Sequence, residues 1–359
     1  MKTLHFSKFS IFMITIVTFA IVVYGIIVLT SPPTTSEKND RIYLHSSNYP
    51  GSSGSSEGYV KISDMMPNDV GYFMYPSSYN FSDSANAYQR FLLIRLPSWL
   101  GGDKNDISSY RAYSILDLDS HCMLKYWPQP GRQQIQDVCH FEEYRTIDGA
   151  SYFFGMKAMA KPIENALPEL DLGVDDSGYI YVKTPTWTVD KNGLIGDGRH
   201  LSKDQVLNSS KFLLGKYRSQ SKIPVQIPLS LEDGSFLIDI SYDANEAYFR
   251  YTLDKPTIST PHIDISYCNC TGLSKNDFSY YDIIKYAQAW QFGNHVVYSH
   301  AAYADVKGNP PDYVFEFYQD GYHVIFNSMM PFDYGMKMTL DTFFNGTKLS
   351  DIEQGSIGK

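Results

Sequence analysis

The sequence runs to 359 residues, 43% hydrophobic, 19% charged and 15% aromatic, a composition that excludes disorder, collagen and a polytopic membrane protein for the whole and leaves room for about two domains. Thirty Lys and Arg against 39 Asp and Glu give a formal net charge of -9, which argues against a nucleic-acid partner held by general electrostatics. Four cysteines, Cys122, Cys139, Cys268 and Cys270, are too few for a disulfide-stapled scaffold.

Residues 1–10 read as a short tail. Ile11–Leu29 is an uncharged run of 19 residues, which as a helix rising about 1.5 Å per residue nearly spans a hydrocarbon core of roughly 30 Å. Residues 11–30 are therefore expected to form a single transmembrane helix. The run exceeds the roughly 7–15 residues of a signal-peptide core, and Thr30-Ser31-Pro32-Pro33 offers no small-residue cleavage site. Lys2 and Lys8 precede it without an acidic residue, so the positive-inside rule puts the N-terminus in the cytoplasm and the remainder outside the cell membrane. Asn-x-Ser/Thr triplets at Asn80, Asn208, Asn269 and Asn345 are compatible with an exterior location.

Residues 31–60, rich in Ser, Pro and Gly, read as a solvated linker. Short apolar or alternating runs follow and are read as strands: Phe91–Leu96, Ala112–Leu116, Tyr179–Val182, Phe236–Ile240 and Tyr313–Phe317, with Asp233-Gly234 and Asp320-Gly321 as tight turns. The best helical periodicity is at Tyr280–Phe292. The fold class expected is mainly β, with one domain at 61–190, a polar linker at 191–224 and a second β-rich domain at 225–359.

Four segments in order carry a resemblance: FLLIRLPSWLGG from Phe91, AYSILDLDSHCMLKYWPQPG from Ala112, DVCHFEEYRTIDG from Asp137 and ALPELDLGVDDSGYIYV from Ala166. Between Ala87 and Lys183 the chain resembles a Rieske iron-sulfur domain of the membrane-anchored archaeal and bacterial type. The resemblance implies an antiparallel β domain, a closing strand pair turning through Asp-Ser-Gly, and two loops that hold a cluster. The family's first loop reads Cys-x-His-x-Gly-Cys; aligned on Cys122, it puts Asp117 at the ligand Cys and Asp119 at the ligand His. Its second loop reads Cys-x-Cys-His; here Asp137 takes the place of the ligand Cys, while Cys139, His140 and the later Tyr144 match. The resemblance further implies a disulfide between Cys122 and Cys139.

Carboxylates are poor substitutes for the soft thiolates that a 2Fe-2S cluster requires. The expected state is a disulfide with no cofactor and with the aspartates engaged in loop chemistry. Two other arrangements stay open: a His2Cys2 site of His121, Cys122, Cys139 and His140 for zinc or an iron-sulfur cluster, and a mononuclear site of Asp117, Asp119, Asp137 and His140 for a hard metal. In the last domain, Cys268-Asn269-Cys270 reads as a local disulfide or buried thiols, and a copper reading would recruit His295, His300 and His323. No nucleophile elbow, phosphate loop or His-Glu-x-x-His signal occurs, so no catalytic residue is assigned.

The functional expectation is a membrane-anchored, extracytoplasmic, Rieske-like accessory or structural subunit that contacts other subunits of a respiratory or electron-transfer membrane complex. An electron carrier with an unusual metal site and a cell-surface binding protein on the same scaffold are the alternatives.

Overall fold

A computed structural model describes residues 41–44, 59–75, 89–117, 120–129, 132–139, 142–153, 165–183, 199–222, 227–231, 234–243, 245–252, 263–269, 288–292, 295–302, 312–319, 321–328, 332–344 and 353–355. The expected transmembrane helix and most of the first linker lie outside these residues. Among the described residues no helix is long and apolar enough to cross a membrane. Residues 42–359 form one compact unit.

The N-terminal half is built from short strands. β1 (Arg41–Tyr43) belongs to a sheet ordered β1-β11-β10 with β10 (Leu172–Val174) and β11 (Ile180–Lys183). β2 (Val70–Met74), β3 (Arg90–Arg95) and β4 (Tyr110–Ser114) form a second sheet with β3 in the centre. A third runs in chain order through β5 (Leu124–Trp127), β6 (Gln134–Asp137), β7 (Glu143–Arg145) and β8 (Ser151–Phe153). β9 (Asn165–Ala166) pairs with β12 (Arg199–His200).

The near-continuous apolar run of β3 has a physical reason: a strand covered on both faces has no solvated side on which to place polar residues. Phe91 and Leu93 pack with Leu170, Leu172, Ile180 and Val182 on one face. Leu92 and Ile94 pack with Leu124, Tyr126, Ile135 and Tyr144 on the other. The sheet of β2, β3 and β4 is thus the middle layer, and it supports the third sheet from beneath. The closing pair expected from Asp-Ser-Gly is present as β10 and β11, with Val174 opposite Ile180 and Gly178 at φ 84°, a conformation that glycine adopts without steric cost.

The C-terminal half is one eight-stranded sheet, ordered β13-β14-β15-β19-β18-β17-β16-β20. Its strands are β13 (Phe236–Tyr242), β14 (Glu246–Thr252), β15 (Ile263–Cys268), β16 (Gln288–Phe292), β17 (His295–Ala302), β18 (Asp312–Gln319), β19 (Tyr322–Ser328) and β20 (Glu353–Gly355). Strict alternation sends Phe249, Ile265, Phe315, Phe317 and Phe326 to one face, where α1 (Lys203–Gln220) and α2 (Phe332–Phe343) cover them through Leu213, Tyr217, Met336 and Leu340. The opposite face carries the polar positions Tyr248, Arg250, Asp264, Ser266, Glu316, His323 and Asn327.

Two local expectations change. The polar stretch 191–224 contains the 18-residue α1, because Ser202 and Gln205 close a reciprocal capping box at its N-terminus and Val206, Leu213, Leu214 and Tyr217 bury a stripe. In the segment with the best helical periodicity, Gln288–Phe292 is strand β16, paired on both sides by β17 and β20; tertiary pairing outweighs its weak helical period. The remainder of that segment lies outside the described residues.

Candidate functional site

The two loops singled out by sequence meet at the end of the third sheet. In the first, Leu116 bridges to Met123 and Asp117 N donates to Cys122 O at 2.9 Å. In the second, Asp137 N donates to Glu142 O at 2.8 Å. Val138 N reaches across to Met123 O at 3.2 Å, and Cys122 and Cys139 are joined in a disulfide with Cα atoms 6.1 Å apart.

The aspartates at the ligand positions shape these loops. Asp117 Oδ1 accepts from Ser120 N at 2.7 Å, and Asp137 Oδ1 accepts from Cys139 N at 2.7 Å. Each carboxylate thereby mimics a backbone turn acceptor. The Ser120 hydroxyl lies 2.8 Å from Asp117 Oδ1 and 3.2 Å from Asp137 Oδ2, and accepts from Cys122 N at 3.1 Å. Tyr144, wholly buried, donates its phenol proton to Asp117 Oδ2. Among the described residues of the loop pair, polar groups answer one another while the disulfide closes the gap.

A third carboxylate joins them. One oxygen from each of Asp117, Asp137 and Glu142 lies within 4.8 Å of the others, and the three residues are 1%, 0% and 7% exposed. Glu142 escaped the sequence reading because the motif comparison covered only positions with a ligand counterpart. Asp119 and His140, the other members of the hard-metal set, lie outside the described residues. His121 is exposed, with its backbone in the left-handed region at φ 53°.

The residues present do not fit a 2Fe-2S cluster. Such a cluster needs thiolates at its redox-stable iron, and both sulfurs of this site are bonded to each other, with the carboxylates Asp117 and Asp137 where the thiolates belong. The same bond withholds Cys122 and Cys139 from the His2Cys2 set. Hard oxygen ligands are offered by Asp117, Asp137 and Glu142. Cys139 is exposed and Cys122 half-buried, so the disulfide is open to solvent beside Val138, itself 50% exposed.

The C-terminal histidines are placed differently from the copper reading. Adjacent strands bring His300 of β17 and His323 of β19 to the two oxygens of Glu316 on β18, with Nε2 to oxygen distances of 2.9 and 3.1 Å. Burial raises the pKa of this carboxyl, but hydrogen bonds from His300 and His323 outweigh it and pull the pKa down to about 2. Glu316 was missed, although a charge inside the apolar run Tyr-Val-Phe-Glu-Phe was a legible signal. Cys268 is in a disulfide, the side chain of His295 is not described, and Cys270 lies outside the described residues.

No family model matches the sequence, and no curated relative does. Among solved structures, the chain is similar to a crystal structure of the quaternary ammonium Rieske monooxygenase CntA in complex with an inhibitor, at 10% identity and a TM-score of 0.24, over 84% of this chain and 73% of that one. It is also similar to the Pseudomonas putida CBB5 NdmA QL mutant with theobromine, at 9% identity and a TM-score of 0.22, over 87% of this chain and 82% of that one. Similarities of this degree carry no argument about the chain's fold or activity.

Proposed function

We propose that this chain is a membrane-anchored, extracytoplasmic protein whose N-terminal half is a Rieske-like domain without its cluster, serving as an accessory or structural subunit of an electron-transfer membrane complex. The observation that carries this reading is the covalent and hydrogen-bonded closure of the two loops. Cys122–Cys139 ties the loops, and Asp117 and Asp137 hold loop backbone N–H groups where the family's pattern places thiolates. The four ordered sequence matches support the scaffold, and the run Ile11–Leu29 supports the anchor. Loops held shut in this way present a fixed surface at Val138 and His121, suited to contact with another subunit.

Iron and acid-labile sulfide analysis of the purified protein, with EPR of its reduced form, tests the loss of the cluster. The expected result is substoichiometric iron and sulfide and no Rieske signal of low average g value. Stoichiometric iron with sulfide would overturn the reading in favour of an electron carrier. Native electrophoresis of mildly solubilised membranes tests the partner: comigration with a haem-bearing complex is expected, and migration as a lone protein would leave the cell-surface binding alternative standing.

A further inference from the structure

A cavity of about 540 Å³ lies between the β5–β6 hairpin and the polar face of the eight-stranded sheet. Its size is within the roughly 300–1,000 Å³ of small-molecule sites. Trp127 and Arg132 line it from the hairpin, and Arg250, Asp264, Ser266 and Asn327 line it from β14, β15 and β19. It exists because the sheet turns its polar side chains toward the N-terminal half.

The charges around it are arranged in order. On the hairpin side, Lys125 Nζ lies 4.1 Å and Arg132 Cζ 5.4 Å from the centroid of the Trp127 ring, and neither cation has a carboxylate partner among the described residues. On the sheet side, Arg250 Nε lies 3.7 Å from both Glu143 Oε2 and Asp264 Oδ1, so one cation meets two carboxylates. The cavity is cationic beside the tryptophan and acidic at its floor.

Two polar atoms of its lining residues are stranded behind its surface. Trp127 Nε1, a donor only, and Asn327 Oδ1, an acceptor, are buried and make no hydrogen bond among the described residues. A ligand suited to this lining carries an anionic acceptor for the Arg132 end and hydroxyls for Asn327, Ser266 and Asp264. It has a compact ring to lie near the indole. A second negative charge on the ligand is rejected by Asp264, which disfavours dicarboxylates.

We propose that this cavity binds an acidic monosaccharide, with its carboxylate toward Trp127 and Arg132 and its hydroxyls toward Asn327, Ser266 and Asp264. The inference is independent of the accessory-subunit reading, since it involves neither the stapled loops nor the anchor. Titration calorimetry on the full-length protein in detergent, with sodium glucuronate, methyl glucoside and succinate, tests it. The expected result is one glucuronate per chain, bound at least tenfold more tightly than either of the others, and weakening as salt is raised. Arg132→Ala, on an exposed side chain, is expected to weaken glucuronate at least fivefold with an unchanged melting temperature. Trp127→Ala, which removes the ring from the lining, should weaken it as well. No heat with glucuronate, equal affinity for the neutral glucoside, or indifference to Arg132→Ala would each overturn the proposal.

Discussion

Arg145 is the largest wholly buried side chain of the structure. Its guanidinium grips Asp148 through two parallel bonds, Nε to Oδ1 at 2.8 Å and Nη2 to Oδ2 at 2.5 Å. Nη1 donates to Ser210 Oγ at 3.1 Å and to Ile238 O at 2.7 Å. Burial raises the Asp148 pKa, yet the charge and hydrogen bonds of Arg145 prevail and lower it. Breaking one side of a buried pair leaves the other charge unanswered, so Arg145→Met is expected to lose about 3–5 kcal/mol of unfolding free energy by urea titration, more than Asp148→Asn, which removes the charge and keeps the shape. Glu316 gives a second residue-scale expectation. Its carboxyl titrates at about 2 in the folded protein against an ordinary 4.5, so its contribution is complete above pH 4.5 and disappears as pH falls toward 2. The linkage is on the order of 3 kcal/mol. Stability measured by urea titration from pH 6 to pH 2 should fall steeply for the natural protein and more shallowly for Glu316→Gln; equal slopes would contradict the clamp. Glu316 was not legible as a partner, because the strands that unite His300, Glu316 and His323 pair through long-range register that spacing along the chain does not encode.

At the scale of elements, what could be read was local and what escaped was relational. β3, β4, β11, β13 and β18 all fall on the apolar runs that announced them, since burial of a strand writes itself into neighbouring residues. α1 also had a signature, the Ser-Lys-Asp-Gln capping box at Ser202, but its polar face hid it in a stretch that composition alone describes as linker. Ser202→Ala should cost about 1 kcal/mol, seen as a lower melting temperature. The loop pair was legible through motif order. The pairing of Cys122 with Cys139 followed from the resemblance, while the meeting of Glu142 with Asp117 and Asp137 depends on how β6 turns into β7. Closing 17 positions of chain with a disulfide removes roughly 3 kcal/mol of unfolded-state entropy. The Cys122→Ser, Cys139→Ser double variant should therefore melt lower by several degrees, and reductant should lower the natural protein to match it. If reductant has no effect, the loops are held by the Ser120 and Asp137 hydrogen bonds alone.

For the molecule as a whole, the two halves share more than a boundary. Ala150 and Ala166 of the first pack with Val206 of α1 and with Phe236 and Ile238 of β13 in a single apolar cluster. Trp99 Nε1 donates to Gln133 Oε1 at 2.8 Å, and Gln220 Nε2 at the end of α1 donates to Trp99 O at 3.0 Å. Trp99, Leu96 and Leu100 belong to the same core as the sheet residues Phe249 and Phe315. Neither half can open without exposing apolar surface of the other and stranding Arg145, whose partners come from both. The expectation is one cooperative transition across residues 42–359, with far-UV circular dichroism and tryptophan fluorescence melting together. Arg145→Met should lower that common transition without splitting it, because the apolar cluster around Ile238 survives the substitution. Two resolved transitions in the natural protein would mean that the seam contributes less than either core, and that the halves are separate folding units.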